Sequence, residues 1–150
     1  MMNLKLLMVL AAAQVPAYPA PPAPNQPVED QALQMDLVLK AGSDRVYFGG
    51  SEYALTPPAR TSLAAQARWL LANPTVRAVI EGHSNQRDSR DHALAIGERR
   101  AIAVRDYLVS LGVPSVRLTV ASWGKERPMP PGPADYGVDR NGRAVITILR

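Results

Sequence analysis

The sequence predicts an α/β two-layer sandwich, a mixed β-sheet with two main helices on one face, in the order β-β-α-β-α-β-β. Three observations predict it. Apolar runs of strand length recur at 46–48, 76–80, 116–123 and 143–149. Two longer stretches carry apolar residues at helical spacing, each bounded by start and stop signals. Each of those helices also falls between two strands, where it can carry the chain across to a parallel neighbour and cover the sheet as it does so.

The chain opens with MMNLKLLMVLAAAQ. Lys5, the apolar run Leu6–Leu10 and the small residues Ala11-Ala12-Ala13 read as a secretory signal over 1–13, too short in its apolar part to span a bilayer. Residues 14–32 follow as a Pro-rich linker, with six prolines between Pro16 and Pro27. Such a run lacks backbone donors and favours an extended polyproline spacer. The folded domain is expected over 33–150.

Leu33, Met35, Leu37 and Leu39 alternate with polar residues, the period of a half-buried strand. With the turn Ala41–Asp44 and the run Val46-Tyr47-Phe48 they predict a hairpin. Thr56-Pro57-Pro58 then starts a helix, Thr as N-cap and Pro at the first helical position. Its apolar face is Leu63, Ala67, Leu70 and Leu71, and Asn73-Pro74 ends it. Val76–Ile80 is a strand that closes at Glu81-Gly82-His83. A second helix is expected from about Asp91 to Leu111, with Ala101, Val104, Leu108 and Leu111 as its stripe and Gly112 and Pro114 as its stop. Val116–Trp123 and Arg143–Leu149 are the last strands, joined by a Pro- and Gly-rich loop.

Composition narrows the function. The net charge is +4, and 14 of the 17 basic residues are arginines scattered from Arg45 to Arg150. With one Phe and two Trp there is no basic stripe with interleaved aromatics, which argues against nucleic acid. No cysteine is present, so disulfides, thiolate metal sites and cysteine nucleophiles are excluded, as is a lipid carried on an N-terminal cysteine. No G-x-S-x-G elbow supports a hydrolase. Glu81, His83, Asp88 and His92 match no metal-ligand spacing. His83, at a strand end, reads as a packed imidazole holding its loop by hydrogen bonds rather than as a catalytic base. Nothing calls for a cofactor.

Ligands of open α/β sheets gather at the carboxyl ends of strands. Phe48-Gly49-Gly50 and Gly82–Asp88 converge there, Arg99 and Arg100 fall about two turns into the following helix, and Asn141 and Arg143 precede the last strand. The ungapped stretch GHSNQRDSRDHALAIGERRA at 82–101, with DRVYF at 44–48, SWGKERP at 122–128 and DRNGRAV at 139–145, resembles the OmpA-like peptidoglycan-binding domains. GERRA and SWGKERP favour their peptidoglycan-associated lipoprotein (Pal) branch. The resemblance covers about residues 35–150.

It implies non-catalytic binding of the free diaminopimelate end of peptidoglycan stem peptides in the Gram-negative envelope. That end is a zwitterion, an ammonium and a carboxylate on one carbon. The family's motif arginine falls on Arg100, whose planar fork suits a carboxylate, and its motif aspartate falls on Asn85. The backbone around Phe48 and Gly49 would add N–H donors, and Gly82, His83, Asp88, Asn141 and Arg143 complete the implied ligand-binding set. Asn85 stands where the family has Asp, Asp88 where it has Gly, Ala93 where it has Asn, Gly49 in place of a frequent Asp, and Gly142 in place of an Arg. An amide instead of a carboxylate at 85 costs a charged hydrogen bond, roughly 1.5–3 kcal/mol, which Asp88 would restore from a shifted position. The resemblance also implies a periplasmic location, outer-membrane association at most peripheral, and the Tol-system protein TolB or other envelope proteins as partners. The alternative is an envelope protein-interaction scaffold that has lost peptidoglycan binding.

Overall fold

The computed structural model describes residues 27–85, 89–129 and 140–150. Val28–Ala41 is a helix (α1), not the first strand of a hairpin. Its residues are mostly strong helix formers, Leu, Gln, Met, Lys and Ala. Leu33, Leu37 and Ala41, four apart, turn to one side: Leu37 is fully buried, and Leu33 and Ala41 pack against the same core. Leu39, the fourth member of the apparent alternation, is instead 56% exposed. Glu29 and Asp30 lie in the first turn and Lys40 in the last, charges that suit the helix dipole. The helix includes residues 28–32, which the linker was expected to hold.

The remaining elements follow the expected order. Arg45–Tyr47 is a short strand (β1) and Pro57–Ala72 a helix (α2), whose N-cap Thr56 accepts at Oγ1 from the Ala59 N–H at 3.3 Å. Arg77–His83 is β2 and Arg90–Ser110 is α3, capped by Ser89, whose Oγ accepts from the His92 N–H at 3.3 Å. A 3₁₀ turn at Ser115–Arg117 leads into β3, Leu118–Gly124, and Arg143–Leu149 is β4. Among the described residues, three helices therefore stand where two were expected. Leu71 and Leu111, assigned to buried stripes, are 45% and 38% exposed. Gln66 and Trp69 are buried on α2 instead.

The sheet order is β1-β4-β2-β3. β2 and β3 are parallel, with α3 as the crossover, and β4 runs antiparallel to both β1 and β2. Register puts Val46, Ala78, Ile80, Leu118, Ala144, Ile146 and Ile148 on one face, and all are buried in the core with Leu63, Leu70, Val104 and Leu108 of the helices. The alternate residues, among them Arg45, Tyr47, Glu81, Trp123 and Arg143, belong to the other face.

Two local devices fix the helices. Arg117 donates to the carbonyls of Leu70, Asn73 and Val76, each at 2.8 Å, and so satisfies the end of α2. The Trp69 indole N–H donates to Asp36 at 2.8 Å, tying α2 to α1.

Candidate functional site

α3 lies against β2 because two glycines meet. A Cβ on Gly82 would collide with the Gly97 carbonyl, and a Cβ on Gly97 would collide with the Ser122 hydroxyl. Ser122 in turn donates to the Leu94 carbonyl at 2.7 Å. With backbone on backbone, the residue three places after Gly97 is set directly under the carboxyl end of β2. That residue is Arg100.

Arg100 is fully buried and gathers three segments. Its Nε donates to the Glu52 carbonyl at 2.7 Å, Nη2 to the Gly50 carbonyl at 2.7 Å, and Nη1 to the His83 carbonyl at 2.9 Å. The Phe48 ring centroid lies 5.2 Å from the guanidinium carbon, a cation–π distance. Gly142 closes the remaining side: a Cβ there would stand 2.7 Å from the Phe48 carbonyl and 3.1 Å from Nη1. The Gly142 carbonyl accepts from the Phe48 N–H at 2.7 Å. Gly142, where the resembled motif has an arginine, is therefore sterically matched to the guanidinium beside it.

The expected residues divide accordingly. Phe48, Gly49, Gly82, the His83 carbonyl and Arg100 come together. The Phe48 N–H, expected as a ligand donor, is taken by Gly142, whereas Gly49 is exposed. Asn85 is half-buried and already engaged. Asp88 lies outside the described residues.

Asn141 and Arg143 serve the loop before β4. Asn141 Oδ1 accepts from the Met129 N–H at 2.8 Å, and Arg143 donates to the Asn141 carbonyl at 3.3 Å and to the Arg127 carbonyl at 2.9 Å. By strand alternation Arg143 faces away from the helices and Arg100.

His83 is packed, 2% exposed, but its loop is held by its carbonyl rather than its ring: Nδ1 has no hydrogen-bond partner among the described residues. Burial, and then the positive charges of Arg143, Arg127 and Arg45, push its pKa down to about 3. The imidazole is neutral across the physiological range. Trp123 lies on the same outer face, with the Arg127 guanidinium 3.5 Å from the centre of its ring.

Sequence reasoning placed Gly50 at this edge without a role and missed Glu52; their carbonyls hold two of the three bonded guanidinium nitrogens. The Gly49-Gly50 pair after β1 was the available signal for a tight turn. The Glu52 N–H indeed donates back to the Gly49 carbonyl at 2.9 Å. Every residue from Gly49 to Ala54 is exposed, so the site is a buried cation under a thin rim of polar backbone. No group of three or more His, Cys, Asp or Glu side chains that could hold a metal occurs among the described residues. No helix among them is long and apolar enough to cross a membrane.

Comparison with known proteins agrees with this architecture. The pattern of the OmpA family matches residues 47–141. A peptidoglycan-associated lipoprotein of Mesorhizobium japonicum is 43% identical over 113 residues, 75% of this chain and 67% of the relative. One from Rhizobium meliloti is 43% identical over 96 residues, 64% of this chain. The chain spans only about half of that relative's length, 54%. The crystal structure of the peptidoglycan-associated lipoprotein from Burkholderia pseudomallei superposes with a TM-score of 0.66 at 30% identity, covering 72% of this chain and 92% of that one.

Proposed function

Because the chain belongs to the OmpA family, we propose that it is a non-catalytic module that holds peptidoglycan in the Gram-negative envelope by the diaminopimelate tip of its stem peptides. The observation that carries the reading is the burial of Arg100 where β1, β2 and β4 bring their ends together. A fixed guanidinium at the base of a polar notch gives a carboxylate a point of attraction in a region of low dielectric. The incoming carboxylate takes the place of the Gly50 and Glu52 carbonyls on the planar fork, and the exposed Gly49–Ala54 segment lifts to admit it. Asn85 contributes an uncharged acceptor to the ammonium. The module works in the periplasm, with TolB or another envelope protein as its partner and membrane contact at most peripheral.

A second reading is favoured by the same arginine. Its described N–H groups are satisfied by the protein's own backbone, as they would be in a scaffold that no longer needs the ligand. Sedimentation with purified sacculi, followed by titration with a diaminopimelate-containing stem peptide, separates the two. Wall binding predicts co-sedimentation and saturable peptide binding that weakens when a lysine stem removes the terminal carboxylate. Failure to bind either material leaves the scaffold. Release of soluble muropeptides during the incubation would overturn the non-catalytic assignment.

A further inference from the structure

The proposed ligand tip carries an ammonium as well as a carboxylate, and the notch as built from Arg100 and Asn85 offers the ammonium no net negative charge. One described carboxylate borders it. The turn that returns the Glu52 N–H to the Gly49 carbonyl folds the Glu52 side chain back over Gly49. Its Oε2 lies 3.8 Å from where a Cβ on Gly49 would stand. The same residue's carbonyl is bound to Arg100 Nε at 2.7 Å, so before a ligand enters, the backbone bearing this carboxylate stands beside the buried cation, and when the segment lifts the carboxylate moves with it at the rim. Glu52 is exposed, and no lysine, arginine or histidine among the described residues forms an ion pair with it. A glycine at 49 leaves open the space into which its carboxylate leans.

Resting on the peptidoglycan reading, we infer that Glu52 is the anionic contact for the ammonium of the ligand's zwitterionic tip, and so sets the preference for a terminus that carries both charges. Arg100 attracts the carboxylate from below while Glu52 receives the ammonium from the rim. A charged hydrogen bond of this type replaces, from a neighbouring turn, what the amide of Asn85 cannot supply.

The test crosses two proteins with two ligands: the parent chain and Glu52→Gln, each titrated with a diaminopimelate stem peptide and with the same peptide ending in 2-aminopimelate, which lacks the terminal amine. Glu52→Gln keeps the carbonyl to Arg100, so thermal stability stays at the parent value. It should lower affinity for the diaminopimelate peptide about tenfold or more and leave affinity for the amine-free peptide unchanged. Glu98→Gln, at an exposed carboxylate on α3, is the control and should bind as the parent does. If the parent binds the diaminopimelate peptide and Glu52→Gln binds it equally well, the Glu52 assignment is wrong while the wall-binding reading stands. Equal losses for both peptides would also overturn it, because the carboxylate would then act on something other than the ammonium. If the parent binds neither peptide nor sacculi, both proposals fall together.

Discussion

Arg100 Nη1 donates to the carbonyl of His83 at 2.9 Å, across the line where α3 meets the end of β2. One residue thus serves two sides of the sheet. Its carbonyl meets the Arg100 guanidinium on the helix side, and its imidazole is buried in the field of Arg143, Arg127 and Arg45 on the other side. The proposed binding site is therefore tied to the stability of the fold at this point, with consequences that can be measured.

Arg100→Met should unfold the protein more readily, not merely empty the notch. The change removes three charge-assisted hydrogen bonds and leaves the carbonyls of Gly50, Glu52 and His83 without them, at a cost of about 3 kcal/mol or more. Arg100→Lys should recover little, because one ammonium cannot reproduce a planar fork aimed at three separate carbonyls. Urea denaturation measures both, and a variant as stable as the parent would contradict this account. Loss of sacculus binding in any Arg100 variant acquires meaning only beside that measurement.

The His83 ring makes stability fall in mild acid. Its folded pKa, about 3, lies below the ordinary value near 6.5, so between those values the unfolded chain binds the extra proton. Stability then rises with pH through this window: the contribution is fully present above about pH 6.5 and is lost as pH falls toward 3. The slope approaches ~1.4 kcal/mol per pH unit below about pH 6. His83→Gln should flatten the profile between pH 4.5 and 6.5, where most carboxylates have yet to titrate. Urea midpoints across that range provide the check, and an unchanged slope would show that the ring is hydrated or otherwise paired.

Gly82→Ala should cost at least about 2 kcal/mol by overpacking. The added methyl meets the Gly97 carbonyl, which belongs to helix backbone and cannot rotate away as a side chain would. Any relief moves α3, and Arg100 with it. Denaturation should show the loss, and the NMR resonances of Gly50 and Glu52 should shift although neither is near residue 82 in sequence.

Gln66→Leu should stabilise the fold. Gln66 is fully buried in α2, and neither its Nε2 nor its Oε1 has a hydrogen-bond partner among the described residues. An amide taken from water without compensation costs about 1–3 kcal/mol by mutational measures, and leucine of similar volume removes that cost. A rise in the urea midpoint is expected. A fall would mean that a buried water serves the amide.

What was legible in the sequence was what local chemistry dictates. Thr56-Pro57 and Ser89 cap helices where such residues cap helices, and the run Arg143–Leu149 is a strand because it is β-branched and bounded by Asn-Gly. The convergence of Phe48, Gly82, His83 and Arg100 followed from strand ends and motif register. What the sequence hid was of two kinds. Leu33 to Leu39 alternate at period 2 while also containing the four-residue spacing of Leu33, Leu37 and Ala41, and only the partner surface decides between the two. The enclosure of Arg100 depends on the carbonyls of Gly50 and Glu52, and backbone carbonyls leave no mark in residue type. Arg143 looked like a neighbour of Arg100 by sequence, yet strand alternation sends it to the other face.

The helix that the alternation concealed is held by a side chain that mimics a strand. β1 ends after three residues, and beyond it Gln34 takes up the edge of β4: its Nε2 donates to the Ile146 carbonyl at 2.8 Å and its Oε1 accepts from the Ile148 N–H at 2.7 Å. The same Nε2 also reaches Asp44 Oδ2 at 2.9 Å, next to the turn that feeds β1. Gln34→Leu keeps the volume and helix propensity but removes both backbone partners, a loss of about 2–3 kcal/mol for two hydrogen bonds at a partly buried edge. Leu39→Gln, on the exposed side of the same helix, should change stability by less than about 0.5 kcal/mol. Hydrogen exchange at Ile148 should accelerate in the first variant and not in the second. If Gln34→Leu were as stable as the parent, with Ile148 still protected, α1 would be held by Leu33 and Leu37 alone and the amide would be incidental.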